Sequence, residues 1–209
     1  MPTTTSHDLL ASDRMLATSA AVLAGATLFS TGAFSSWTGI GVVGLLMAVV
    51  EEDVRHRRIP NRLTGFGLAA ALVHAVWTAG PGGLLTALAG AAVGLAVLGL
   101  PFVLRVLGAG DVKAVMALGA FSGPALLVDQ LWWITVLGGL FAAATLLSQG
   151  GVRELAARWG GSLALSLANR RPAYLAPSAG EAAAVGLPFG VALALGVAAH
   201  SLWSSTWHS

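Results

Sequence analysis

Long apolar runs separated by short polar breaks set the pattern of this 209-residue chain. An α-helix needs roughly 20 residues to cross a bilayer. On that measure the runs predict helices near 15–34, 37–52, 63–79, 83–104, 111–122, 125–147 and 182–204. The first run has the length of a signal peptide, but the segment before it, Met1 to Arg14, carries Asp8 and Asp13 against one arginine. It is therefore read as a retained helix. The run 111–122 stands apart, because its twelve residues rise only about 18 Å against a hydrocarbon core of about 30 Å. Either the Ser122-Gly123-Pro124 turn dips into the membrane under cover of other helices, or Asp111 starts below the membrane surface. The stretch 148–181, with Gly150-Gly151, Gly160-Gly161, Pro172 and Pro177, reads as a cytoplasmic loop. Its Arg153-to-Trp159 portion is expected to be amphipathic and interfacial.

Composition fixes the class. The chain is 56% hydrophobic and 10% charged, with a mean hydropathy of +0.80, which a soluble globular domain does not reach. An all-α, polytopic membrane helical bundle follows, with the lipid bilayer as its first partner. Twenty-seven glycines suit helices that approach closely in lipid. The absence of cysteine removes disulfides, thiolate nucleophiles and cysteine zinc sites. A net charge of +2 is spread over the flanks of apolar runs and forms no basic face, so nucleic acid is not an expected partner.

Those flanking charges also give an orientation, since Lys and Arg gather in short cytoplasmic loops. If 53–62 is cytoplasmic, alternation puts Arg14, Arg55, Arg57, Arg58, Arg62, Arg105, Lys113, Arg153, Arg158, Arg170 and Arg171 on that side, which is every basic residue in the chain. Trp37, Trp77, Trp132, Trp133, Trp203 and Trp207 fall near the opposite ends, as an interfacial belt would.

Two carboxylates then stand out at the cytoplasmic ends of different apolar segments. Asp53 opens Asp53-Val-Arg-His-Arg-Arg-Ile-Pro-Asn61, and Asp111 lies in Gly108-Ala-Gly-Asp111-Val-Lys113. A carboxylate at the edge of hydrocarbon is costly unless it has a partner or a function. Each motif also has an ordinary structural account: Asp is a favoured N-cap after a glycine turn, and the arginines fit a stop-transfer cluster ahead of the Ile59-Pro60-Asn61 turn. Glu51 and Glu52 are expected to be solvated or paired with those arginines, and Lys113 reads as a snorkelling interfacial lysine or a group that tunes Asp111. Two carboxylates brought together share one proton, because like charges in a poorly solvated site do not both ionise readily. The ionised member can then activate water against a peptide carbonyl while the protonated member polarises that carbonyl. No metal or cofactor is needed. His56, His200 and His208 lack metal-ligand spacing with nearby carboxylates; His74 lies alone in an apolar helix, and Asp129 beside Trp132 and Trp133 is expected to be solvated.

Together the motifs resemble the type IV prepilin peptidases, membrane aspartyl proteases of the GxGD class. Asp53-x-Arg55-x-Arg57-x-Ile59-Pro60-Asn61 precedes Gly108-x-Gly110-Asp111-x-Lys113, and Gly186-Leu-Pro188-Phe-Gly190 is similar to the Pro-Tyr-Gly motif of the family's last helix, with Phe189 for Tyr. The likeness runs from about residue 38 to 200. It implies that Asp53 and Asp111 are the catalytic pair, cutting the short leader from membrane-anchored prepilins or pseudopilins at the cytoplasmic face of a bacterial or archaeal cytoplasmic membrane, beside pilus assembly machinery. Without cysteines or a methyltransferase insert, the chain looks like the short, peptidase-only form associated with Flp or Tad pili. The implied organisation is a six-helix peptidase region over 37–209 and an extra helix with its tail over 1–36. Two other readings stay open: a presenilin-like intramembrane protease, whose Tyr-Asp partner motif is missing here, and a small ion- or proton-coupled transporter, for which no matched halves are seen.

Overall fold

A computed structural model describes residues 18–20, 22–30, 36–103, 107–148, 152–171, 175 and 188–207. Over these the chain is all α-helix: α1 (Thr18–Ser30), α2 (Trp37–His56), α3 (Asn61–Val103), α4 (Ala109–Ser122), α5 (Pro124–Ser148), α6 (Val152–Asn169) and α7 (Phe189–Trp207). Three of them are long and apolar enough to cross a membrane, over Asn61–Val103, Pro124–Ala144 and Phe189–Thr206. The chain is an all-α membrane protein.

Local chemistry sets the helix limits. The Ser36 hydroxyl caps α2 by accepting the Gly39 N–H at 3.0 Å, and α2 ends where Arg57 turns left-handed at φ 51° and donates its N–H to the Asp53 carbonyl. Helix α3 has 43 residues and would measure about 65 Å if straight. It is broken at Ala79 and Gly80, where Gly80 takes φ 60° and ψ −147°, a backbone shape that a side chain opposes. Pro81 then starts the second arm, where its missing N–H costs nothing. The break separates arms over 61–78 and 81–103, matching the two runs expected at 63–79 and 83–104.

Two compact units divide the chain, one drawn from 14–138 and 188–209 and the other from 139–187. The first unit holds the core, in which Leu28, Leu46, Val49, Val115, Leu118, Leu127, Val191 and Leu193 are fully buried. Its tightest crossing joins α4 to the second arm of α3. A Cβ on Gly90 would strike the Gly119 backbone, one on Gly119 would strike the Gly90 backbone, and one on Gly94 would lie 3.1 Å from the Val115 carbonyl oxygen. The four-residue spacing on α3 and α4 lets the helices meet almost backbone to backbone, as small residues do in membranes. Gly123, at φ 77°, ends α4 against the Thr86 methyl. Gly123 is buried, and Ser122 and Pro124 are half-buried. Leu28 and Ala24 of α1 are buried in the same core.

In the second unit, within the stretch read as a loop with an amphipathic piece, residues 152–169 form an 18-residue helix that carries the Gly160-Gly161 pair. A glycine pair costs a helix only about 2 kcal/mol. The alanines and leucines around it are good helix formers. The turn residues Pro172 and Pro177, and the start of the last apolar run at 182–188 apart from Pro188, lie outside the described residues.

Candidate active site

All three sequence motifs converge in the first unit. Asp53 sits in the last turn of α2, beyond its apolar stretch, yet is only 6% exposed. Its Oδ2 accepts the Gly190 N–H at 2.7 Å, across 137 residues of sequence. Gly190 is the second residue of α7, and the first N–H groups of a helix have no partner within it. Asp53 supplies one, and the positive end of the α7 dipole favours a negative group there. The approach requires glycine: a Cβ on Gly190 would lie 3.1 Å from the Val49 carbonyl oxygen and 3.3 Å from the Asp53 Cβ. Pro188 precedes this turn and accepts the Val191 N–H at 3.2 Å.

Asp111 is the third residue of α4. Its Oδ2 accepts the N–H of the capping residue Gly108 at 2.9 Å, half of a capping box. The expectation that Asp111 itself starts the helix is therefore off by two residues, since α4 begins at Ala109. Gly110 faces Ile59 so closely that a Cβ would lie 2.8 Å from the Ile59 carbonyl oxygen and 2.9 Å from its Cβ. Ile59 is buried. Pro60 accepts the Leu63 and Thr64 N–H groups and so caps α3, and Asn61 Oδ1 accepts a hydrogen bond from Lys113 Nζ at 2.8 Å. Lys113 thus reaches a specific acceptor on the facing helix and does not simply snorkel.

Burial raises the pKa of both carboxyls above the ordinary range, because it penalises the charged form. At Asp53 the Gly190 N–H and the Arg57 charge oppose that rise. At Asp111 the Gly108 N–H opposes it, while the negative charge of Asp53 adds to it. Asp53 is thus near enough for its charge to act on Asp111.

Other residues of the motifs sit outside this contact. Arg55 pairs with Glu51 at 3.1 Å on an exposed face, and Glu52, expected to be solvated or paired with an arginine, lies 3.0 Å from His56 Nδ1. Asp129 is exposed, as expected. His74 is not alone: its Nε2 is hydrogen-bonded to Thr38 Oγ1 at 2.8 Å, beside a cavity of about 450 Å³ lined by Thr78, Thr86, Phe121 and Ser122. That cavity lies at the end of α4 opposite Asp111. Among the described residues no three His, Asp or Glu side chains cluster as a metal site would require.

Sequence reasoning missed the Gly190 and Asp53 contact and the bond from Lys113 to Asn61. The order of the motifs was the one signal that could have pointed to either. The family model of the type IV leader peptidase family matches residues 40–147, the span that contains both Asp53 and Asp111. No curated protein and no solved structure matches the chain.

Proposed function

Since the chain belongs to the type IV leader peptidase family, we propose that it is a prepilin peptidase in which Asp53 and Asp111 form the catalytic pair. One observation carries the reading. Segments from 53–61, 108–113 and 188–190 meet in space, with Asp53 held by Gly190, Ile59 against Gly110, and Lys113 on Asn61. Burial raises both carboxyls, and the charge of Asp53 raises Asp111 further; on this reading they hold one proton between them.

The proposed chemistry follows from that shared proton. The ionised carboxylate takes a proton from water as its oxygen attacks the scissile carbonyl, and the protonated one gives its proton to the carbonyl oxygen. Collapse of the resulting gem-diol returns a proton to the second carboxylate, while the first protonates the leaving amine. The starting protonation states are restored. Gly190 would hold one oxygen of Asp53 and leave the other to face water.

The substrate would be a membrane-anchored prepilin or pseudopilin with a short hydrophilic leader, and the chain a peptidase-only enzyme of the Flp or Tad kind. Its six-helix core and additional N-terminal helix would cross the cytoplasmic membrane several times, with the carboxylates facing the cytoplasm. The distribution of Lys, Arg and Trp supports that orientation. Co-expression with a prepilin tests the reading by the gel mobility of the pilin. Wild-type protein should remove the leader, and Asp53→Asn or Asp111→Asn should leave the precursor intact while remaining in the membrane. An uncleaved precursor beside well-inserted wild-type protein, across prepilins of this kind, would argue against it.

A further inference from the structure

Helix α6 presents a stripe that stands exposed among the described residues. Trp159, Leu163 and Leu167 recur every fourth residue, so they share one helix face, and they are 61%, 61% and 71% exposed. A different face is closed by the chain that follows. Ser162 is buried and its Oγ accepts the Leu175 N–H at 3.1 Å, while the Leu175 side chain lies 2.9 Å from where a Cβ on Gly161 would stand.

Charge and chain length say what covers the open stripe. Arg153 at one end of the helix and Arg170 and Arg171 just beyond the other are exposed, and Glu154 is the only carboxylate in α6. Three residues, 149–151, join α5 to α6, a reach of about 14 Å at full extension. The start of α6 is therefore held near the end of α5, whose Pro124–Ala144 portion is long and apolar enough to cross a membrane. Helix α6 itself is outside the set of helices apolar enough to do so. An apolar stripe containing Trp, flanked by arginines and tethered close to a membrane-length helix, is what a helix lying in the headgroup region presents.

We propose that α6 is an interfacial anchor that docks on anionic phospholipid, with Trp159, Leu163 and Leu167 entering the acyl boundary and Arg153, Arg170 and Arg171 contacting lipid phosphates. The arginines add attraction that salt screens. A soluble acidic partner or a second copy of the chain would cover the same stripe without placing acyl chains against it.

The chain has no cysteine, so single cysteines can carry a fluorophore without background. The full protein is reconstituted in vesicles of phosphatidylcholine alone or mixed with phosphatidylglycerol, and labelled at Leu163→Cys, Leu167→Cys or, away from the stripe, Ala157→Cys and Ala168→Cys. At 163 and 167, quenching by brominated acyl chains should exceed quenching by aqueous iodide, with the reverse at 157 and 168. Phosphatidylglycerol should strengthen the contrast, and Arg170→Gln with Arg171→Gln should remove that gain. Equal iodide quenching at all four positions would overturn the proposal. So would shielding from iodide without quenching by brominated lipid, because protein would then cover the stripe. Lipid quenching indifferent to phosphatidylglycerol would overturn the anionic preference. None of these readouts depends on peptide cleavage.

Discussion

Gly190 shows how much of the site rests on one missing methyl group. Adding a Cβ would press on the Val49 carbonyl and on Asp53 itself, so Gly190→Ala should destabilise the fold by about 1–3 kcal/mol, the usual cost of overpacking. It should also slow cleavage, because the N–H that orients Asp53 would shift. Thermal unfolding and cleavage rates, measured together, check both effects. Lys113→Met removes an exposed hydrogen bond to Asn61 and should cost less than about 1 kcal/mol in the same unfolding measurement. The carboxyls make a further prediction. Burial raises both of them in the folded state, so each binds a proton more readily folded than unfolded. Their contribution is fully present below the ordinary carboxylate pKa and is lost as pH rises through the raised folded values. Asp53→Asn and Asp111→Asn should therefore match or exceed the wild-type unfolding temperature at neutral pH, and show a weaker decline with rising pH. A clear drop for either at neutral pH would contradict the burial argument.

Among the elements, the crossing of α3 and α4 fixes where Asp111 stands. Gly119 meets the Gly90 backbone, and no side chain can move aside to relieve an added methyl. Gly119→Ala should cost about 3 kcal/mol or more and lower the yield of folded protein. Gly65, whose Cβ would meet nothing within 4 Å, is the control: Gly65→Ala should gain about 0.5–1 kcal/mol. The helices themselves were legible in the sequence because apolar runs have helical length; the gap between the runs 63–79 and 83–104 marked the break in α3, and Ser122-Gly123-Pro124 marked the end of α4. Only the Arg153-to-Trp159 portion of α6 was legible as amphipathic; its continuation to Asn169 was not, since the glycine pair imitates a loop. The contacts that build the site were hidden for a different reason. Gly190 and Asp53 lie 137 residues apart, and one sequence carries no term that couples them. Lys113 looked like any interfacial lysine until Asn61 appeared opposite it.

Across the whole molecule, the match to the type IV leader peptidase family and the meeting of three distant motifs point the same way. The family match gives a peptidase; that Asp53 and Asp111 are its working groups is the proposal. In the proposed orientation, drawn from eleven basic residues, those carboxylates would face an arriving cytoplasmic leader. The most direct measurement is the rate at which purified protein in vesicles removes the leader from a prepilin, compared among wild type, Asp53→Asn and Asp111→Asn at equal amounts of folded protein. Loss of acid–base catalysis predicts a fall of about 10²- to 10⁴-fold or more for each variant. Cleavage by either variant at a rate close to that of wild type would contradict the assignment of the pair.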